Sequence, residues 1–373
     1  MKIARIDVFQ IDLPFSGGTY HLSHGRQYEA FDATLVRITA DDGTEGWGES
    51  TPFGSTYIAA HALGVRAGLA EIAPHLLGAD PRHVDRINER MDRALVGHHH
   101  AKTALDVACW DLFGKATGLA VCDLLGGRTD RPVPVISSIH ADEPVAMRAN
   151  VADHRKRGYQ GHSIKVGALD REGGPALDAA RIEESLADRR PGEYFLVDAN
   201  GGLTVETALR LLRLLPPGLD FTLEAPCATW RETVSLRRRT NVPMILDELA
   251  DSEEAIVKLI AEDAADGIGL KISKSGGLTR GRRHRDIGMA AGLAMTVQDT
   301  VGSAIAFAAI LHLAQSVPER FLRCALDCRG MVTVETADFD APIEQGGVTA
   351  PVVPGLGIKP RLDVLGDPVS SWF

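Results

Sequence analysis

The chain has 373 residues, 45% of them hydrophobic and 24% charged, with a formal net charge of -10 at neutral pH. That length exceeds the size at which a single core stops growing, so two domains are expected. The negative balance argues against a nucleic-acid or anionic-membrane surface, and basic runs such as Arg237-Arg238-Arg239 read as a solvated helix face.

No apolar run reaches membrane-spanning length, and Met1 to Phe15 alternates like a strand instead of carrying a signal-peptide core. The cysteines Cys109, Cys122, Cys227, Cys324 and Cys328 lack zinc spacing. The expectation is a cytoplasmic protein with reduced, buried thiols.

In chain order, Lys2 to Leu13 and Ala33 to Thr39 are strand-like, and Asp41-Asp42-Gly43 is a hairpin turn into Thr44 to Gly48. Antiparallel strands followed by helices predict an α+β unit over residues 1–128. Two aromatic loops of little periodicity, Phe15 to Tyr28 and Glu49 to Tyr57, read as covers over a site or as ordinary surface loops; Tyr20, Phe53 and Tyr57 are the candidates for substrate contact. His98-His99-His100 has no second His at a spacing of four, and adjacent residues share no face. The run is therefore read as leading into a helix from Thr103 to Ala116, where Leu105, Ala108, Cys109, Leu112 and Ala116 form a buried stripe and Gly118 stops the helix.

After Leu125-Gly126-Gly127 the pattern becomes an alternation of strands and helices that lasts to about residue 330. Strand-like runs near residues 133, 161, 194, 220, 243, 267, 293 and 321, with helices between them, predict a closed (β/α)7β TIM-like barrel over 129–330. The tail, 331–373, carries Pro351, Pro354, Gly355, Gly357 and Pro360 and no helical pattern. It is expected to return to the N-terminal unit as part of the capping domain.

Three of the barrel strands end in a carboxylate, at Asp198, Glu224 and Asp247, which lie 26 and then 23 residues apart. At the carboxyl ends of neighbouring strands they converge on one pocket, and three acids there repel one another unless something neutralises them. A hard divalent cation does so, and Mg2+ suits a site with few carboxylates and room for substrate oxygens; helix capping by each acid is the alternative. Strands two and six end in Lys165 and Lys271, which a barrel sets across its mouth from each other. A lysine of ordinary pKa, ~10.4, is protonated at neutral pH, and a metal, a second ammonium and desolvation each lower that value toward general-base use.

The chain resembles the mandelate racemase and muconate lactonizing branch of the enolase superfamily along nearly its whole length. The resemblance rests on Gly46-Trp47-Gly48-Glu49, the run from Ala104 to Leu112, Leu124-Leu125-Gly126-Gly127, Val197-Asp198-Ala199-Asn200, Leu223-Glu224-Ala225-Pro226, Leu246-Asp247-Glu248, the run from Leu270 to Leu278, and Pro354-Gly355-Leu356-Gly357. Each piece is weak alone, and together they keep the family's order and spacing. The resemblance implies an N-terminal α+β capping domain over the barrel. It implies Asp198, Glu224 and Asp247 on one Mg2+, and Lys165 and Lys271 as acid/base groups for removing the proton α to a carboxylate. It further implies a small-molecule carboxylate substrate and a homo-oligomer, with Ser163 and Asn200 as candidate substrate contacts.

One departure narrows the activity. The muconate-lactonizing group usually ends the second strand in Lys-x-Lys, whereas this chain has Ser163-Ile164-Lys165, which argues against cycloisomerase and dipeptide epimerase chemistry. With His162 and the stretch Gly97 to Lys102, it is similar to members that act on hydroxylated prolines. The activity implied is dehydration of cis-3-hydroxy-L-proline or, with the same lysine pair, epimerisation of 4-hydroxyproline betaine or proline betaine. Asp299, at the seventh strand, either faces a ring ammonium or caps the next helix. A metal-dependent aldolase more typically uses a single base, so the second lysine counts against it.

Overall fold

The structure is a computed structural model that describes residues 1–373. Strands β1 (Ile3–Pro14), β2 (Ala30–Ala40) and β3 (Glu45–Ser50) form the antiparallel sheet of a cap, in that spatial order. Their alternation puts Ile6 opposite Ile38 and Val8 opposite Val36, and these side chains bury against the cap helices α1 (Ala62–Ile72), α2 (Val84–Ala94) and α3 (His99–Thr117). Helix α3 is buried along most of its length, and its backbone lies directly on β3. A Cβ added at Gly46 would stand 2.3 Å from the Ala108 carbonyl oxygen, and one at Gly48 would stand 2.1 Å from that of Ala104. Only glycine permits so close an approach.

Helix α3 starts at His99, four residues before the expected Thr103, and ends as expected at Gly118, whose φ is 72°. The early start has a tertiary cause, because the polar side chains of the first turn are satisfied by other elements. Lys102, 1% exposed, pairs with Asp92 at 2.7 Å, and Thr103 donates to the Ser273 carbonyl at 3.2 Å.

Eight parallel strands follow: β4 (Val133–Ile139), β5 (Gly161–Lys165), β6 (Tyr194–Asp198), β7 (Thr222–Glu224), β8 (Met244–Leu246), β9 (Gly267–Lys271), β10 (Ala294–Gln298) and β11 (Leu322–Leu326). Pairing of β11 with β4 closes the barrel. Between successive strands run α4 (Pro144–Lys156), α5 (Gly174–Leu186), α6 (Val205–Leu214), α7 (Trp230–Arg237), α8 (Glu253–Glu262), α9 (Leu278–Ala291) and α10 (Ala304–Gln315). Val135, Ile164, Val197 and Leu223 face outward into the large core beneath the helices, while Ile136, Leu196, Ile245, Cys324 and Leu326 fill the barrel interior.

The tail serves both units. Strand β12 (Gly347–Val348) pairs antiparallel with β4, and β13 (Ser370–Trp372) pairs with β1, completing the cap sheet. All five cysteines are free and buried. No helix is long and apolar enough to cross a membrane.

Candidate active site

Register fixes the level of the charged strand ends. Lys165 is the direct partner of Asp198, Asp198 of Glu224, and Lys271 of Gln298. Ile245 pairs with both Glu224 and Gly267, so Asp247, two residues on, shares its inward face and the level of the mouth. Gly269 keeps room there: a Cβ on it would lie 3.0 Å from Glu224 Oε1 and 3.3 Å from Asp247 Cβ. Beyond the strand ends, Asn200 (φ 45°) and Ala225 (φ 41°) hold left-handed backbone, a cost of about 1–3 kcal/mol that the packing of the site sustains.

The acids and lysines are brought together as ion pairs. Lys165 Nζ contacts Asp198 Oδ2, and Lys271 Nζ stands 2.5 Å from Asp247 Oδ2, off the direction of a hydrogen bond. Asp198 and Asp247 are each turned toward a lysine, and no three acid, His or Cys side chains close on one point. The ammonium groups neutralise Asp198 and Asp247 and leave Glu224 without a counter-charge. The lysines respond in kind: burial alone would lower their pKa values, but Asp198 holds Lys165 above the usual lysine range and Asp247 does the same to Lys271.

Burial pushes the Glu224 carboxyl well above its usual range, and the charges of Asp198 and Asp247 push it further. Its one side-chain donor is Gln298 Nε2, at 2.7 Å. Asp247 behaves oppositely; burial would raise it, but the Lys271 and Lys274 ammonium groups hold it at about 2. Asp247 Oδ2, Glu248 Oε2 and Asn200 Oδ1 are buried oxygens without a hydrogen-bond donor. An all-oxygen donor set on three adjacent strands, with one acid lacking a counter-charge and further oxygens lacking donors, fits a hard divalent cation.

Lys165, Lys271, Ser163, Asn200, Asp299 and Tyr20 line one small cavity of about 20 Å³, together with Phe53 and Tyr57 from the cap. Both aromatic loops thus lie across the barrel mouth. Tyr20 shares a 2.6 Å hydrogen bond with Ser138, and Phe53 packs edge-on to Tyr20 and Tyr57 with centroids 5.1 and 5.7 Å away. The Tyr57 phenol receives Lys271 Nζ at 2.9 Å and donates to Glu248 at 2.7 Å. On its other side opens a chamber of about 740 Å³ that reaches Asp247, Glu248, Lys271 and Lys274. Asp299 accepts from the Ser273 hydroxyl and from the Thr300 amide at 2.7 Å, and burial raises its pKa to about 6.

Several residues of the site were not singled out in the sequence. Lys274 donates to Asp247 Oδ1 at 2.9 Å and to the Gly269 carbonyl at 2.9 Å; Glu248 sits beside Tyr57; Gln298 contacts Glu224. Lys274 and Glu248 lie inside matching motifs, and Gln298 shares the inward parity of its strand, so each had a signal. His162 does not join the site. It faces the helix layer, where Ser137 is its hydrogen-bond partner at 2.9 Å, and burial lowers its pKa to about 3. His99 contacts the Lys274 carbonyl at 2.9 Å, and His100 is buried with its pKa lowered to about 3.

Comparison with known proteins agrees with this architecture. Residues 19–126 match the mandelate racemase/muconate lactonizing enzyme N-terminal domain, and residues 146–364 match the enolase C-terminal domain-like family. Over 372 residues, covering the whole of both chains, the sequence is 43% identical to the cis-3-hydroxy-L-proline dehydratase of Roseibium aggregatum. It is 27% identical to the N-succinyl-L-Arg/Lys racemase of Bacillus cereus, over 98% of this chain and 97% of that one. A mandelate racemase/muconate lactonizing enzyme relative from Roseovarius nubinhibens, crystallised in complex with magnesium, superposes with a TM-score of 0.99 at 60% identity over the full length of both chains.

Proposed function

The chain belongs to the mandelate racemase/muconate lactonizing enzyme family and is an enzyme of the enolase superfamily, and from that premise we propose that it removes the proton α to a carboxylate with Mg2+ as cofactor. The reaction is dehydration of cis-3-hydroxy-L-proline to Δ1-pyrroline-2-carboxylate. The observation that carries this reading is the opposition of Lys165 and Lys271, which come from the second and sixth barrel strands and line the same cavity. The 43% identity with a dehydratase of that substrate supports it.

Asp198, Glu224 and Asp247 would hold Mg2+, which supplies positive charge to the substrate carboxylate and to the negative charge that builds there as the proton leaves. In the cis isomer the hydroxyl and carboxylate share a ring face, so the α-hydrogen and the hydroxyl lie on opposite faces and elimination is anti. A base on one side and an acid on the other meet that demand. Lys165 takes the α-proton of the S-configured carbon, after losing the proton that its Asp198 partner stabilises. Lys271 protonates the departing hydroxyl, the C–O bond breaks, water leaves, and the enamine tautomerises to the imine. Tyr20, Phe53, Tyr57, Ser163 and Asn200 contact the substrate, and Asp299 faces its ring ammonium.

The same lysine pair can return a proton to the α-carbon, as a racemase relative would, and 2-epimerisation of proline betaine or 4-hydroxyproline betaine is the second reading. Mass spectrometry in D2O with Mg2+ and each substrate separates the two, since dehydration loses water and epimerisation only gains one deuterium. Loss of water from cis-3-hydroxy-L-proline is expected. Scrambling of the betaines without any loss of water would move the assignment to the epimerase.

A further inference from the structure

A buried carboxylate that the reaction does not use lies where cap meets barrel. Glu49, near the end of β3, is 2% exposed. Its Oε1 accepts from the Thr51 hydroxyl at 2.7 Å and the Ser303 amide at 2.9 Å, and its Oε2 accepts from the Ser303 hydroxyl at 2.5 Å and the Ala306 amide at 3.1 Å. Ser303 caps α10, so the counterpart of this cap-domain anion is the amino end of a barrel helix.

Two further bonds run from this anchor to the cavity. The Thr300 hydroxyl donates to the Thr51 carbonyl at 2.6 Å, and the Thr300 amide donates to Asp299 at 2.7 Å. Asp299 and Thr300 wall the cavity from the barrel, while Phe53 and Tyr57, four and eight residues after Glu49, wall it from the cap. One carboxylate therefore ties together the two segments that bound the cavity from opposite domains.

We infer that Glu49 is a positioning residue, which sets the separation of the Asp299–Thr300 wall from the Phe53–Tyr57 wall and so determines how tightly the substrate is held. As a statement about cis-3-hydroxy-L-proline it rests on the reaction proposed above. Glu49→Gln keeps the shape but points an amide donor at groups that are themselves donors.

On the Mg2+-loaded enzyme, hydrogen exchange in Glu49→Gln should quicken in both 51–57 and 299–303, KM should rise about tenfold, and kcat should stay within about threefold of wild type. Thr51→Val, which removes a single side-chain donor to Glu49 and leaves the Ser303 cap of α10 in place, should give the same pattern at smaller size, and it decides the matter if Glu49→Gln does not fold. Exchange that quickens only within α10, or a fall in kcat at unchanged KM, would overturn the inference. The exchange measurement needs no substrate, so a wild-type protein that fails to dehydrate hydroxyproline would refute the reaction and still leave the clamp decided.

Discussion

Lys271 and Tyr57, 214 residues apart in sequence, meet at the centre of the site, where the ammonium donates to the phenolic oxygen at 2.9 Å. The phenol in turn donates a hydrogen bond to Glu248 at 2.7 Å and also accepts one from the Asn200 amide at 3.2 Å. One cap residue thereby orients a barrel lysine and closes the wall between the small inner cavity and the wide outer chamber. The inner cavity, of about 20 Å³, holds little more than a water.

Tyr57→Phe keeps the ring against Phe53 and removes the hydroxyl, leaving Lys271 turned to Asp247 alone. Steady-state kinetics should show kcat lowered about 10- to 100-fold, the size of one or two hydrogen bonds to charged groups. An unchanged kcat would take the hydroxyl out of the working site.

The two lysines can be separated in D2O. Lys271→Ala should still exchange the α-proton of cis-3-hydroxy-L-proline through Lys165 while dehydrating poorly, and Lys165→Ala should do neither. Normal exchange in Lys165→Ala together with none in Lys271→Ala would reverse their roles.

For the acids, Asp198→Asn, Glu224→Gln and Asp247→Asn should each lower activity by about a thousandfold or more, because charge building on the substrate carboxylate would lose its counter-ion. Chelation should abolish activity and added Mg2+ should restore it. Full activity in excess chelator contradicts the cofactor assignment.

Gly48→Ala tests the seat of α3 on the cap sheet. The added methyl would press into the helix backbone at Ala104, and since backbone on both sides cannot rotate away, denaturant titration should show a loss of about 1–3 kcal/mol. Stability equal to wild type would mean that the helix can shift outward without cost.

His312 gives stability a pH dependence. It is fully buried and neutral, accepting the Cys122 amide at 3.2 Å through Nδ1 and donating to the Leu356 carbonyl at 3.1 Å through Nε2. Burial lowers its pKa from 6.5 to about 4, so between those values the unfolded chain binds a proton that the folded chain refuses. Its contribution is complete above about pH 6.5 and declines as the pH falls toward 4. About 2 kcal/mol should disappear between pH 7 and pH 5, and His312→Gln should flatten that part of the profile. An equally steep profile in the variant would assign the dependence to other groups.

The sequence by itself determined the barrel and the level of its charges. Alternating strands and helices permit a closed parallel sheet, and a side-chain period of two leaves Lys165, Asp198, Glu224, Asp247 and Lys271 no freedom about which face they occupy. The same parity excludes His162, one residue out of step with Ser163 and Lys165, although the motif that contains it does not say so.

What only the tertiary structure decided is who partners whom. The pairing of each lysine with an acid, the docking of Tyr57 between Lys271 and Glu248, the reach of Lys274 to Asp247 and the seating of Glu49 on α10 all depend on where separate elements come to rest. Local periodicity sets the direction of a side chain along its own element. It carries no information about the distance to another element, which is fixed by packing volume at glycine contacts such as Gly48 against Ala104 and by the requirement that every buried charge find a partner.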